Sequence, residues 1–375
     1  MSKWLQPLRA KIPADLNAQE QKALADAIQK EALKRADLFL AGLRSYQASS
    51  FKREDATDMA CLWSAGSARL LDYAPDTDAP VVFIVPSLVN GYEILDMAKT
   101  QSFVRFLAAQ GFRPLVMDWG VPAEAEKDFT LDDYLRHYLK SAWQKACTVA
   151  GARKCHMVGY CMGGVMAMAL AQHVQKNKLA SLTLIATPWD FGAQGVAGVP
   201  AADTQGGISF LTQARQWMTA LEQYGFLPPQ LLQFVFTTFQ IRHILDKYQK
   251  FGQATMDEDS MRRFVLTEDW LNRGIPLTLP VARECLEGWY QRNDLFEGRF
   301  RALDAVLDPK TLTVPTYILM ARDDNIVPRA CAAPLTALIK NTKTQEAQTG
   351  HIGLMIGHKA PTQIWPSYAR WLKAA

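Results

Sequence analysis

The segment GYCMGG, residues 159–164, places a cysteine where the chain is expected to turn sharply from a strand into a helix. Small residues two positions on either side of a nucleophile keep side chains from colliding at such a turn. Gly159 and Gly163 occupy those positions around Cys161, and a thiolate there would face the helix N-terminus, which favours negative charge. The pattern predicts a catalytic cysteine. The alternative is a buried structural cysteine at a tight turn.

A nucleophile of this kind needs hydrogen-bond donors for the oxyanion that forms when it attacks a carbonyl group. The N–H of Met162 directly follows the nucleophile and is one natural donor. The second donor usually comes from the loop after an earlier core strand, and here that loop is VPSLVNGY. We expect it to be the N–H of Leu88, with Val89 as the next candidate.

The nucleophile also needs a base, and the base needs a group that orients it. In folds with this turn, the acid and then the histidine follow the nucleophile along the chain. His351 in QTGHIG follows the last predicted core strand and is flanked by glycines, which suits a loop histidine that reaches into a site. The other downstream histidines are His173 in a predicted helix, His243 in a predicted helical insertion and His358 after an apolar stretch.

The acid is expected in the loop ARDDNIVP, which follows the predicted strand VPTYILM. Asp323 and Asp324 both lie there, and an aspartate in such a loop can simply close the turn through its own side chain. We favour Asp324 as the acid, because it adjoins the segment NIVP, which is expected to pack the loop back on the core.

The sulfur of Cys161 indicates the kind of reaction. Transfer of an acyl group from a thioester to serine would release the energy of the thioester at the first step. Transfer to cysteine retains a thioester, so that this energy stays available for a second transfer to an alcohol. Cysteine therefore fits an acyltransferase that uses an acyl thioester of coenzyme A, although cysteine hydrolases also exist.

The elements that position these residues alternate between residues 80 and 191. The short apolar runs PVVFIVPSLVN, RPLVMDWG, KCHMVGY and LASLTLIATPWD predict strands, and the amphipathic stretches between them predict helices. The helix in TLDDYLRHYLKSAWQKACTVAG is expected to have Thr130 as its N-cap, with Asp133 three residues later. The alternation predicts an α/β fold with a mostly parallel central sheet and helices on both faces.

Outside this region the pattern changes. Residues 15–50 predict one or two amphipathic helices, which either pack on the domain as an extension or offer a binding surface. Five glycines between residues 192 and 207 predict a mobile loop, and residues 208–300 predict a mainly helical cap inserted between core strands. The predicted division is an N-terminal helical extension and lead-in over 1–79, a first core part over 80–191, a cap over 192–305 and a second core part over 306–375.

Composition limits the classes of function. The 375 residues are 49% hydrophobic and 21% charged, as in globular proteins, and the net charge of +4 argues against nucleic acid as the main partner. Six cysteines show no CxxC or CxH spacing, and GYCMGG lacks the Lys-Ser/Thr of a phosphate loop, so we expect no metal and no nucleotide cofactor. Without a signal-peptide pattern or a run of roughly 18 apolar residues, we expect a cytoplasmic protein with no membrane span.

Several motifs together resemble the polyhydroxyalkanoate synthases of the α/β-hydrolase superfamily, over residues 60–192 and 310–372. They are FIVPSLVNGYEILDM, FLAAQGFRPLVMDWG, TLDDYL, HMVGYCMGG, LTLIATPWDF and RDDNIVP…TGHIG. The length and the ending GHIGLMIG…WPSYARWL are most similar to the class III/IV catalytic subunits. The sequence departs from the family at Asn325, where histidine is common, and in the cap, which is the least similar region.

The resemblance implies polymerisation of (R)-3-hydroxyacyl-CoA, first of all 3-hydroxybutyryl-CoA, into a polyester with release of coenzyme A. It implies that Cys161 carries the growing chain, that His351 deprotonates it, and that Asp324 orients His351 and helps to activate the incoming 3-hydroxyl. A homodimer, an accessory subunit and a location at polyester granules are further expectations. The alternatives are a cysteine thioesterase or esterase of the same fold, and a non-catalytic granule-associated subunit that forms no acyl adduct.

Overall fold

A computed structural model describes residues 16–53, 59–193, 199–239, 241–253 and 256–375. The chain packs as two units: the described residues up to Phe51 together with Ile241–Val265 form one, and Lys52–Gln240 with Leu266–Ala375 form the other. In the described residues, no helix combines the length and the apolar character needed to cross a membrane.

The larger unit is built on one eight-stranded sheet. Its strands are β1 (Ala60–Ala65), β2 (Ala68–Asp72), β3 (Val81–Val85), β4 (Arg113–Asp118), β5 (Cys155–Tyr160), β6 (Leu179–Ile185), β7 (Thr316–Ala321) and β8 (Thr342–Ala347). They lie in the order β1-β2-β4-β3-β5-β6-β7-β8. The first two strands run antiparallel to their neighbours, and all other neighbouring pairs are parallel. The predicted mostly parallel sheet is confirmed.

Helices cover both faces of this sheet, because its central strands are apolar on both sides. Every residue of β3, β5 and β7 is buried. The helices that connect and follow the strands are α2 (Phe103–Ala109), α3 (Leu131–Asp133), α4 (Lys140–Ala150), α5 (Met162–His173), α11 (Arg329–Ala332), α12 (Pro334–Leu338), α13 (Gly353–Ile356) and α14 (Trp365–Ala374). Strands β1 and β2 were not expected, since the sequence analysis places the first strand near residue 80.

The predicted N-cap of the helix in TLDDYLRHYLKSAWQKACTVAG is confirmed. Thr130 is the N-cap of α3, and its hydroxyl and the Asp133 carboxylate form the reciprocal capping pair. Between α3 and α4 the segment Tyr134–Leu139 is wound as a π-helix, which the sequence pattern does not indicate.

Between β6 and β7 the chain is mainly helical. The helices are α6 (Gln205–Leu221), α7 (Pro229–Phe239), α8 (Ile241–Phe251), α9 (Glu258–Arg273) and α10 (Leu279–Arg283), which continues as a π-helix over Glu284–Gln291. The prediction of a glycine-rich loop over residues 192–207 is partly wrong. Residues 194–198 of this segment lie outside the residues that the structure describes. Gly206 and Gly207 lie in the first turn of α6, because Thr204 caps this helix by accepting the N–H of Gly207 at 3.1 Å.

The smaller unit contains a single long N-terminal helix, α1 (Ala18–Gln47), where one or two were expected. Gly42 is its one buried residue, and a Cβ atom there would lie 2.0 Å from the carbonyl oxygen of Tyr248 in α8. Helix α1 carries the exposed apolar side chains Ile28, Leu33 and Leu40. Residues 241–265 thus belong to the same compact unit as α1. The predicted division of the chain into a lead-in, two core parts and a cap over 192–305 stays a prediction.

Candidate active site

Cys161 lies at the sharp turn between β5 and α5. Its backbone has φ of 55° and ψ of −125°, a left-handed conformation that side-chain-bearing residues rarely adopt. The turn is held because the N–H of Cys161 donates to the oxygen of Ile185 at 2.8 Å and its carbonyl accepts the N–H of Gly164 at 2.9 Å. The thiol is partly exposed, as a nucleophile must be.

The glycines beside Cys161 are required by close backbone contacts. A Cβ atom on Gly159 would lie 2.4 Å from the Cα of Gly164, where the strand meets the start of the helix. A Cβ atom on Gly163 would lie 2.2 Å from the oxygen of Val85 at the end of β3. Helix α5 therefore approaches the sheet too closely for any side chain at these two positions.

His351 and Asp324 meet beside this turn. Both side chains are buried, and Nδ1 of His351 lies 2.8 Å from Oδ2 of Asp324. The other oxygen, Oδ1, accepts the N–H groups of Ile326 and Val327, each at 2.8 Å. Asp323 is exposed and contributes its backbone N–H to the oxygen of Thr349 at 3.0 Å, so the structure brings Asp324 and not its neighbour to the histidine.

The charges around His351 favour its protonated form. Burial of the imidazole acts against protonation, but the charges of Cys161 and Asp324 and hydrogen bonds to both side chains raise the pKa of His351 to about 10. At neutral pH the imidazole of His351 is therefore protonated. Asp324 holds the ring by Nδ1, which leaves Nε2 for the sulfur.

The other histidines downstream of Cys161 that the sequence analysis considers are His173, His243 and His358. His173 lies exposed at the C-terminal end of α5, and His358 is exposed after α13. The side chain of His243 lies outside the described ones.

The two expected oxyanion donors lie in different elements. Met162 is the first residue of α5, and Leu88 follows β3 and is buried. Among the described residues, neither of the two backbone N–H groups has a hydrogen-bond acceptor. The N–H of Val89 donates to Oγ of Ser87 at 3.2 Å, which favours Leu88 over Val89 as the second donor.

Two tryptophans anchor the loop that carries Leu88. The indole N–H of Trp119 donates to the oxygen of Pro86 at 3.1 Å, which connects the segments DWG and VPSLVN. The indole N–H of Trp270 donates to the oxygen of Gly91 at 2.8 Å, and the side chain of Asn90 donates to the oxygen of Trp270 at 3.2 Å. The loop is thereby fixed at both ends, as a preorganised oxyanion site requires.

Sequence reasoning missed Tyr160, which directly precedes Cys161. Its ring lies 5.4 Å from the imidazole of His351, and its hydroxyl donates to the oxygen of His351 at 3.5 Å. Burial raises the pKa of Tyr160, so it remains a neutral hydroxyl. An aromatic residue at the end of a buried strand, next to the nucleophile, was the available signal.

Sequence reasoning also missed the cavity onto which Cys161 opens. It measures about 220 Å³, and its walls are almost entirely carbon. Val89, Met162 and Ile326 line it from the core, while Ala214, Trp217 and Val235 line it from α6 and α7. In the part of the chain that the structure describes, no cluster of three or more His, Cys, Asp or Glu side chains could hold a metal ion.

The sequence was compared with known families and proteins. Residues 80–357 match the model of the alpha/beta hydrolase fold family. The "Poly(3-hydroxyalkanoate) polymerase subunit PhaC" of Synechocystis is 25% identical, over 91% of this chain and 92% of the relative. Proteins of the same name from Haloferax mediterranei and Cupriavidus necator are 27% and 28% identical, over 83% and 78% of this chain.

The relatives differ in length. The chain spans 62% of the Haloferax protein and 50% of the Cupriavidus protein, but most of the Synechocystis protein. The resemblance to polyhydroxyalkanoate synthases that the motifs indicate is confirmed by these matches. The family model fits the eight-stranded sheet and the sharp turn at Cys161 between β5 and α5, which we call the elbow. The chain belongs to the alpha/beta hydrolase fold family.

Proposed function

We propose that the chain is an acyltransferase that polymerises (R)-3-hydroxyacyl-CoA into polyhydroxyalkanoate and releases coenzyme A. One observation carries this proposal: a cysteine stands at the elbow, beside a buried histidine that is paired with a buried aspartate. A thioester formed on Cys161 conserves the energy of the CoA thioester for transfer to an alcohol. The names of the relatives support the same reaction.

In the first step, the thiolate of Cys161 attacks the thioester carbonyl of the substrate. The oxyanion accepts hydrogen bonds from the N–H groups of Met162 and Leu88. One such donor typically lowers the activation barrier by about 2.7–4 kcal/mol. The bond from carbon to the CoA sulfur breaks, and the imidazolium of His351 gives its proton to the departing thiolate. The products are an acyl thioester on Cys161 and free coenzyme A.

In the second step, the 3-hydroxyl of another hydroxyacyl unit attacks the thioester on Cys161. Neutral His351 accepts the hydroxyl proton, an ester bond forms, and the carbon–sulfur bond to the enzyme breaks. The thiolate–imidazolium pair is restored. Both oxygens of Asp324 already accept hydrogen bonds, which supports a role that runs through His351 and not through direct contact with the hydroxyl.

The test is incubation with (R)-3-hydroxyacyl-CoA substrates of several lengths, with release of coenzyme A and formation of product measured together. Insoluble polyester is the expected product. Release of coenzyme A with only soluble hydroxy acid would instead identify a thioesterase. No release at all, in a folded protein, would favour the non-catalytic granule-associated subunit.

Cysteine variants sharpen this test. Cys161→Ala should abolish release of coenzyme A, whereas Cys155→Ala, at the buried start of β5, should leave it largely intact. Cys161→Ser should be severely impaired in polymerisation even where it slowly hydrolyses the thioester. Equal activity of the two alanine variants would show that the nucleophile lies elsewhere.

We further propose that the chain works as a cytoplasmic homodimer at the surface of polyester granules, with an accessory subunit as an additional partner. The exposed apolar side chains of α1 support an association of this kind. Light scattering of the purified protein measures its mass in solution, and fractionation of polymer-producing cells measures the share bound to granules. A strictly monomeric protein that remains in the soluble fraction would contradict this assembly.

A further inference from the structure

The cavity beside Cys161 is lined by side chains from two sources. The core supplies Met162, the first residue of α5, and Ile326 and Val327 of the loop after β7. The helices between β6 and β7 supply further residues, among them Trp217 of α6, Val235 of α7 and Trp289 of the π-helix Glu284–Gln291. In the described part of the chain, no charged side chain lines this space.

The position of the cavity relates it to one part of the substrate. The reacting carbonyl must lie at the sulfur of Cys161, with its oxygen toward the N–H groups of Met162 and Leu88. The phosphates of coenzyme A are charged and cannot be accommodated by carbon walls without a large cost of desolvation. The apolar part of the acyl group is the portion of the substrate that fits these walls.

Its volume indicates how long this apolar part is. An apolar cavity of about 150 Å³ in another protein holds a benzene molecule, with its six carbon atoms. The cavity of about 220 Å³ here is larger, so it holds a chain of at least that many carbons. The single methyl group on C3 of a 3-hydroxybutyryl unit would leave most of the apolar surface without contacts.

We propose that this cavity binds the alkyl substituent on C3 of the hydroxyacyl group and selects medium-length units, such as 3-hydroxyoctanoyl, over 3-hydroxybutyryl. The inference rests on the proposed function and names its substrate class more narrowly. It departs from the hydroxybutyryl unit that the family resemblance implies. The helices that line the cavity belong to the region least similar to that family, where a different selectivity is expected to arise.

The size of the preference follows from burial of methylene groups. Each buried methylene changes a binding constant by about fourfold, and the octanoyl unit has four more than the butyryl unit. Since the chain buries only part of this surface, we expect kcat/KM for release of coenzyme A to be at least about tenfold higher with the octanoyl substrate.

Filling the cavity should remove this preference. Ala214 is buried in α6 and lines the cavity, so Ala214→Phe should lower the ratio of kcat/KM for octanoyl over butyryl at least about tenfold. Ala220→Phe is the matched control, because Ala220 lies in the same helix with an exposed side chain, and this variant should keep the wild-type ratio. Val235→Phe serves as a second filling variant if thermal unfolding shows that Ala214→Phe does not fold.

The outcomes separate the two proposals. A Cys161-dependent release of coenzyme A that favours the butyryl substrate, or that is equal for both, overturns the length preference and leaves the polymerase reaction intact. An unchanged ratio in both filling variants, with folding preserved, also overturns the role of the cavity. No Cys161-dependent release with either substrate counts against the proposed function itself.

Discussion

Nδ1 of His351 lies 2.8 Å from Oδ2 of Asp324, and both side chains are buried. The contact joins two loops that follow different strands, β7 and β8, at the carboxyl edge of the sheet. Since the second oxygen of Asp324 accepts two backbone N–H groups, the carboxylate cannot rotate away from the ring. The pair therefore fixes which nitrogen of His351 faces Cys161.

Replacement of Asp324 tests this orienting role. The substitution Asp324→Asn removes a negative charge. The amide can also donate its N–H to Nδ1 of His351, which stabilises the tautomer with the proton on Nε2. We expect release of coenzyme A to fall by about 10³-fold or more, as in other triads that lose their carboxylate. The matched control is Asp323→Asn, since Asp323 is the exposed neighbour in the same loop, and its activity should stay close to wild type. Similar losses in both variants would contradict the assignment.

The protonation of His351 can be followed directly by NMR of protein labelled with ¹⁵N-histidine. In the wild type we expect its imidazole to titrate with a pKa of about 10, far above the value of an isolated histidine. Cys161→Ala removes a negative charge that raises this pKa, so the titration should move to lower pH. A His351 titration that is the same in both proteins would exclude a thiolate–imidazolium pair.

The same shift predicts how stability depends on pH. The pKa of His351 is raised in the folded state, so the native protein binds this proton more tightly than the unfolded chain does. Its stabilising contribution is fully present below about pH 6.5, the unfolded value, and is lost as pH rises towards 10. The difference in free energy of unfolding between wild type and His351→Gln should therefore shrink between pH 7 and 10. Urea unfolding measures it, and a difference that grows with pH would contradict the sign.

Much of the fold and the site follows from local sequence pattern. The continuous apolar run Val81–Val85 predicts a strand buried on both faces, and the structure has it there. Chain order and glycine neighbours point to Cys161, Asp324 and His351, because a parallel sheet gathers the loops after its strands at one edge. The choice between Asp323 and Asp324 depends on which side chain points inward. The alternation of side chains along a strand does not continue reliably into the loop after it, so local pattern cannot make this choice.

Other features depend on contacts distant in sequence. Strands β1 and β2 were missed because β1 is partly exposed and lacks a continuous apolar run. The cavity combines α6 and α7 with core loops, and no local pattern encodes how those helices meet the core. The composition of Gly206 and Gly207 predicts a loop, yet the Thr204 cap places both glycines in the first turn of α6. A Cβ atom on Gly207 would lie 2.0 Å from the carbonyl oxygen of Ala201, so this turn has no room for a side chain there.

The glycines of the elbow give a final prediction, on stability and activity together. In Gly163→Ala the new methyl group would lie 2.2 Å from the oxygen of Val85, so helix α5 must move away from β3. We expect a loss of about 1–3 kcal/mol in the free energy of unfolding, as for other overpacked sites. Because this displacement moves Cys161 and the N–H of Met162, release of coenzyme A should fall about 10²-fold.

Gly350→Ala is the matched control for this substitution. Gly350 adjoins His351, but a methyl group there would meet only the oxygen of Asp323, at an ordinary 3.5 Å. Its free energy of unfolding should stay within about 0.5 kcal/mol of wild type. Urea unfolding and release of coenzyme A are measured on both variants. If Gly163→Ala is as stable and active as Gly350→Ala, the close approach of α5 to β3 does not hold the nucleophile in place.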